Sequence, residues 1–243
     1  MTAARTIGTA RRVLGQLRHD HRTVALILVV PMLLLALLAW ILPDPAFQSW
    51  APPLLGVFPM LVMFLTTSVA TLRERTGGTL ERLLSMPIGK GDFVFGYALA
   101  FGGLAIVQAL LVGAVSFRLL GLEVAGSAWL VVLVAVIDGL IGTALGLFVS
   151  AFAQTEFQAV QFMPVVLIPQ LLICGLLVPT DQLPAALEWF SWLLPLTYAI
   201  NAMNHVATEA VPDTRFWVDV VVIVVMALGL LAAGAATLRR RTP

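Results

Sequence analysis

Cysteine, histidine and charge are all scarce in this 243-residue chain, which has one cysteine, three histidines and only 11% charged residues. The lone Cys174 excludes an internal disulfide and a cysteine-based metal cluster. His19 and His21 lie far in sequence from His205, and no paired-ligand spacing joins them, so a metal-dependent enzyme is not expected. No G-x-x-x-x-G-K-[ST] stretch is present to cradle a triphosphate, and no G-x-S-x-G stretch to hold a nucleophilic serine. A net charge of +1 is too small for a nucleic-acid partner. Soluble domains carry about 25% charged residues. With 60% hydrophobic residues, this chain has too few charges to cover a water-exposed surface. Its solvent is a bilayer.

Runs without charge, long enough to cross roughly 30 Å of hydrocarbon, occur at 24–42, 53–72, 93–117 and 159–178. The segments 128–152 and 218–238 qualify as well, each with one acid, Asp138 and Asp219. The expected fold is therefore an all-α membrane protein of six transmembrane helices in one domain, 24–238. A basic helical segment precedes it at 1–23 and a basic tail follows at 239–243. The stretch Trp189 to Ile200 is apolar but short and interrupted by Pro195, which fits a re-entrant or interfacial piece rather than a seventh crossing. The first span is preceded by more than twenty residues and followed by no cleavage pattern, so it should remain as an anchor.

Orientation follows from the basic residues. Arg5, Arg11, Arg12, Arg18, Arg22, Arg73, Arg75, Arg82, Lys90, Arg239, Arg240 and Arg241 fall on one face of a six-span arrangement, leaving Arg118 and Arg215 on the other. Both ends are expected to be cytoplasmic, at the cell membrane. Trp40, Trp50, Trp129, Trp189, Trp192 and Trp217 all fall toward the opposite, outer face, where indole rings prefer the headgroup level.

Two inner segments have helical pattern. In the first, Ala3, Ile7, Ala10, Leu14 and Leu17 form an apolar stripe beside the arginines, as in an amphipathic interfacial helix. Such a helix either props the bundle and touches a partner or serves as a basic anchor on anionic lipid. In the second, Gly77 and Gly78 interrupt the helix, Thr79 is placed to cap a new one, and Pro87 ends it. Leu80, Leu83 and Leu84 then make an apolar knob flanked by Glu74, Glu81, Arg75 and Arg82. The knob lies in the lipid interface or docks in a groove of a soluble partner.

Within the spans, Asp138 falls near midplane, where an unpaired carboxylate costs about 2.5–3.5 kcal/mol on insertion scales. Gln108, Gln161 and Gln170 are its available partners on neighbouring spans. Asp138 is either a substrate or proton contact or a satisfied interhelical hydrogen bond. Gly139, Gly142 and Gly146 give the same span a small-residue face, expected to pack chiefly within the subunit.

The run Arg73 to Gly96, RERTGGTLERLLSMPIGKGDFVFG, resembles the loop between the second and third helices of ABC-2 type permeases, the membrane subunits of ABC exporters. The run Leu183 to Met203, LPAALEWFSWLLPLTYAINAM, is similar to the stretch before that family's last helix. The resemblance implies a short cytoplasmic coupling helix that meets an ATP-binding subunit through Glu74, Thr79, Leu80, Glu81, Arg82, Leu83 and Leu84. It also implies outer re-entrant helices before the last span, a lid that includes Trp189, Trp192, Pro195 and Tyr198.

On this resemblance the chain is a permease without enzymatic activity of its own, paired with a second permease as homodimer or heterodimer and with two ATP-binding subunits. It binds no cofactor itself, ATP and Mg being held on the partner ATPase. The cargo is a hydrophobic or amphipathic small molecule or lipid-like substrate, moved along a path that includes Asp138, Gln108, Gln161 and Gln170. Membrane lipid is a further partner, and nucleic acid is not. The alternative is a gradient-driven secondary transporter using Asp138.

Overall fold

The computed structural model describes residues 3–77 and 89–237. Among these the chain forms α-helices and one 3₁₀ turn, without strands. The helices are α1 (Ala3–His19), α2 (His21–Ile41), α3 (Asp44–Thr76), α4 (Lys90–Arg118), α5 (Ala128–Val149), α6 (Glu156–Ile173), α7 (Ala185–Ser191), α8 (Pro195–Thr208) and α9 (Thr214–Thr237). Six of them, α2 to α6 and α9, are long and apolar enough to cross a membrane. The six spans read from hydropathy are therefore present. α7 and α8, with 7 and 14 residues, fall short of the roughly 20 needed to cross.

Helix limits depart from the apolar runs where capping decides. α3 begins at Asp44, well ahead of the expected Pro53, because Pro43 is its extended N-cap and Asp44 places an acid in the first turn. Pro52 and Pro53 are then absorbed inside the helix. At 33 residues α3 is about 50 Å long, more than the hydrocarbon thickness, so its last turn projects beyond it. α6 stops at Ile173 rather than continuing to 178, because Gly175 turns the chain with a φ of +90° that a side chain would strain. α1 and α2 meet at Asp20, whose carboxylate accepts from the Thr23 amide (3.1 Å) and hydroxyl (2.6 Å) as an N-cap.

α5 is the axis of the bundle. It packs on α3, α4, α8 and α9, and most of its side chains are buried. The expected glycine face accounts for the closest of these contacts. A methyl at Gly142 would strike the Met60 carbonyl of α3, and one at Gly146 would stand 2.6 Å from the Phe64 carbonyl oxygen. Glycine brings the two backbones together here within one subunit, where dispersion rather than water drives helix association. By contrast α2 and α6 bury few of their residues and expose large apolar ones, Leu26, Leu33 and Leu37 on α2 and Val165, Ile168 and Leu172 on α6 among them.

The two ends of the bundle differ. One end carries Trp40 at the close of α2, Trp50 and Trp129 in the first turns of α3 and α5, Trp189 and Trp192 around α7, and Trp217 at the start of α9. The other holds α1, the last turn of α3 and the first of α4. There α1 lies on α4, around a core of Ala10, Val13, Phe93, Val94, Tyr97 and Phe101. The buried face of α1 is Thr6, Thr9, Ala10 and Val13, whereas Ala3, Ile7 and Leu14 of the expected stripe are exposed. Close approach explains the difference, since a methyl on Gly96 of α4 would come within 2.5 Å of Thr9 Cβ. Only the slim side of α1 fits, and its larger apolar side faces outward.

Candidate functional site

At the basic end, three consecutive side chains of α3 reach three different elements. Arg73 donates to both carboxylate oxygens of Glu156 at the start of α6, at 2.8 and 2.9 Å. Glu74 accepts from Arg12 of α1 at 2.5 and 3.1 Å. Arg75 donates to the Ser150 carbonyl just past α5. Such planar, bidentate pairing fixes direction as well as distance. Burial of the Arg12 guanidinium works to lower its pKa, but the hydrogen bonds and charge of Glu74 leave it raised. The guanidinium also lies 6.0 Å from the centre of the Tyr97 ring on α4.

α1 also grips the far side of the same segment. Asp92, in the first turn of α4, accepts from the Gly89 amide at 3.0 Å and from the Thr6 hydroxyl at 3.3 Å. Arg12 and Thr6, less than two helical turns apart, thereby hold the last turn of α3 and the first turn of α4. Between those anchors runs the chain that the sequence assigns to coupling. Glu74 belongs to the anchored part. Thr79, Leu80, Glu81, Arg82, Leu83 and Leu84 lie outside the described residues.

Asp138 sits at the middle of α5, fully buried. Its carboxylate lies near Gly56 of α3, where Met203 of α8 also packs: a methyl on Gly56 would be 3.6 Å from Asp138 Oδ2 and 3.3 Å from Met203 Cε. Neither oxygen has a hydrogen-bond partner among the described residues. The three glutamines are engaged or placed elsewhere. Gln108 donates to the Ile27 carbonyl of α2 at 2.9 Å, Gln170 donates to the Val166 carbonyl of its own helix at 3.1 Å, and Gln161 is exposed on α6. Each buried glutamine amide thus spends its donor on a main-chain carbonyl rather than on Asp138.

At the tryptophan end, three of the four residues expected in the lid converge. α7 and α8 are joined by a tight turn, and Pro195 opens α8. The Tyr198 hydroxyl donates to the Trp192 carbonyl at 2.7 Å, with the two rings edge to face at 5.6 Å. Thr197 donates to the Ser191 carbonyl at 2.7 Å and closes the same turn. Trp189 stands apart, exposed on α7.

Sequence reasoning missed a polar cavity of about 260 Å³ between α8 and α9, lined by Asn201, Asn204, His205, Thr208, Arg215, Phe216 and Asp219. Its signal was present, because 201, 204, 205 and 208 recur at i, i+3, i+4 and i+7 on one face of α8. Among the described residues no group of His, Cys, Asp and Glu is arranged to hold a metal ion.

Among the described residues, a helical bundle with six membrane-crossing helices and two short helices before the last of them defines a multi-pass membrane protein. Residues 7–207 match the family described as ABC-2 type transporter, and the chain belongs to that family. It is 30% identical over 170 residues to ABC transporter G family member 20 of Dictyostelium discoideum, covering 70% of this chain and 23% of that one. It is 25% identical over 203 residues to the probable multidrug ABC transporter permease YbhR of Escherichia coli (strain K12), covering 83% and 55%. Nodulation protein J of Bradyrhizobium diazoefficiens is 28% identical over 182 residues, covering 73% and 67%. The chain thus spans about a quarter of the first relative and about half of the second.

Proposed function

We propose that this chain is the permease subunit of an ATP-binding cassette exporter, lining a substrate path as a dimer and driven by a separate ATPase. One observation carries the reading: Arg73, Glu74 and Arg75 tie the end of α3 to α6, α1 and the end of α5, while Thr6 ties α1 to α4. A push on the intervening chain reaches five helices as one body, which is what a device without its own motor requires. The basic end is the cytoplasmic face of the cell membrane on this reading, and the ATPase with its bound ATP and Mg docks there on Thr79 to Leu84. Ile7 and Leu14, exposed on α1, lie in the inner lipid interface.

The substrate path belongs between two copies, homologous or identical. Of its four expected residues, Gln161 stands on an outward face of α6, whereas Asp138, Gln108 and Gln170 are inside the subunit. The α7–α8 hairpin closes the path on the outer side as a re-entrant lid. The cargo is a hydrophobic or amphipathic molecule, in keeping with the apolar surfaces of α2 and α6. A gradient-driven carrier would have to work through Asp138, which is fully buried near Gly56. The deciding experiment reconstitutes the chain with its ATPase and compares Leu83→Asp and Glu81→Arg with wild type. Transport-coupled ATP hydrolysis is expected to disappear while membrane insertion persists, and full coupling in both variants would overturn the proposal.

A further inference from the structure

The polar cavity between α8 and α9 brings together side chains of two helices near the tryptophan end of the bundle. α8 turns its Asn201, Asn204, His205 and Thr208 face toward the first turns of α9, where Arg215 and Asp219 stand one turn apart. Asp219 is only 5% exposed and lines the cavity, yet no hydrogen bond reaches it among the described residues. The Asn201 side-chain nitrogen is fully enclosed and likewise lacks an acceptor. Asp219 therefore presents to the cavity a carboxylate without a hydrogen bond, which is unfavourable for a largely buried acceptor.

Arg215 and Asp219 stand at i, i+4 without forming a contact ion pair, although the Arg215 charge acts on the carboxylate. The described contact ion pairs are Arg12–Glu74 and Arg73–Glu156. Arg215 instead extends to the exposed rim. His205 is held at the wall, accepting from the Asp213 amide at 3.3 Å and lying tilted over Phe216 with ring centres 5.8 Å apart. The site thus presents a carboxylate inside and a guanidinium at the mouth, from residues one helical turn apart. A ligand of matching polarity has a primary ammonium at one end and an anion at the other. Aminoethyl phosphate carries both groups, an ammonium and a phosphate joined through a two-carbon link.

We propose that this cavity binds the aminoethyl phosphate group, its ammonium on Asp219 and its phosphate on Arg215. The cavity lies at the tryptophan end of the bundle, where Trp217, two residues before Asp219, is exposed. Val218, Val221 and Val225 continue from it as an exposed apolar strip on α9. That strip suits the acyl chains of a phospholipid whose headgroup enters the cavity, while soluble phosphoethanolamine carries the same polar group without the chains. The inference is independent of transport and of the ATPase.

The test uses the full chain purified in detergent, with thermal unfolding and native mass spectrometry as readouts. The probes are phosphatidylethanolamine, phosphatidylcholine and phosphatidylglycerol of identical acyl chains, and soluble phosphoethanolamine. Phosphatidylethanolamine is expected to raise the melting temperature and be retained, since a ligand bound only by the folded state stabilises it. Phosphatidylcholine has no N–H to give Asp219, and phosphatidylglycerol has no cation, so neither should match it. A response to phosphoethanolamine as well identifies the headgroup as sufficient, and a response to the lipid alone identifies a membrane lipid as the source. Asp219→Asn and Arg215→Gln should each weaken retention about tenfold or more, the effect of losing one charge-assisted hydrogen bond. Arg215 is exposed, so its variant keeps the test valid if Asp219→Asn fails to fold. Equal binding of the three lipids, or an unchanged preference in either folded variant, would overturn the proposal.

Discussion

Arg12 on α1 and Glu74 on α3, 62 positions apart in sequence, are joined by two hydrogen bonds of 2.5 and 3.1 Å. With Thr6 bound to Asp92, this pair makes α1 a brace across both flanks of the chain that runs from 77 to 89. The Arg12 side chain is 27% exposed and that of Glu74 9% exposed, so solvent screens the pair only in part.

A double-mutant cycle on Arg12→Ala and Glu74→Ala should accordingly give a coupling of about 1–2 kcal/mol, between the values for exposed and for buried pairs. Denaturation of the purified protein measures it. In the reconstituted exporter each single variant should lower coupled ATP hydrolysis more than insertion, because the brace rather than the bundle is lost. Additive stabilities with normal coupling would show the pair to be incidental.

The contact between α3 and α5 makes a second prediction. Gly142→Ala drives a methyl into the Met60 carbonyl, a backbone atom that cannot rotate aside. Overpacking of this kind costs about 1–3 kcal/mol, and Gly146→Ala against the Phe64 carbonyl should behave alike. Gly8→Ala on α1, where nothing lies within 4 Å, should instead be neutral or stabilising. Comparison of the three melting temperatures checks this order.

Asp20 provides a pH-dependent test. The side-chain and backbone hydrogen bonds from Thr23 hold its carboxyl below the usual carboxylate range. A folded-state pKa below the unfolded one gives stability that is present above the unfolded pKa, near 3.9, and is lost as pH falls through the folded value. The stability difference between wild type and Asp20→Ala should therefore shrink as the medium is acidified through that window. A difference that stays constant would contradict the cap.

Asp138 yields a prediction of opposite kind. Since neither of its oxygens is hydrogen-bonded among the described residues, Asp138→Asn breaks no observed bond. Thermal stability should change by less than about 1 kcal/mol, whereas loss of a buried hydrogen-bonded partner would cost more. A large destabilisation would reveal a partner for Asp138 that the present contacts lack.

The six crossings were legible because each is a long apolar run, and the bilayer requires such runs to be helical. Side-chain pairing was less legible. Gln108 and Gln170 look from sequence like partners for a midplane acid, but each meets a carbonyl closer at hand, of Ile27 and of Val166. The packed side of α1 was hidden for a related reason. Hydropathy favours Ile7 and Leu14, whereas the small profile of Gly96 selects Thr6 and Thr9. α8 extends to Thr208, past the apolar run that ends at Ile200, because the polar face of its last two turns meets α9 rather than lipid. That pairing joins segments whose polar residues look scattered when each is read alone.

The most direct measurement of the central claim is the accessibility of residue 80. Leu80→Cys in a Cys174→Ala background is treated in intact cells with a membrane-impermeant maleimide, before and after permeabilisation, with and without the ATPase subunit. The account predicts no labelling from outside, labelling after permeabilisation, and protection when the ATPase is bound. Labelling of intact cells, or an inner site whose reactivity ignores the ATPase, would contradict it.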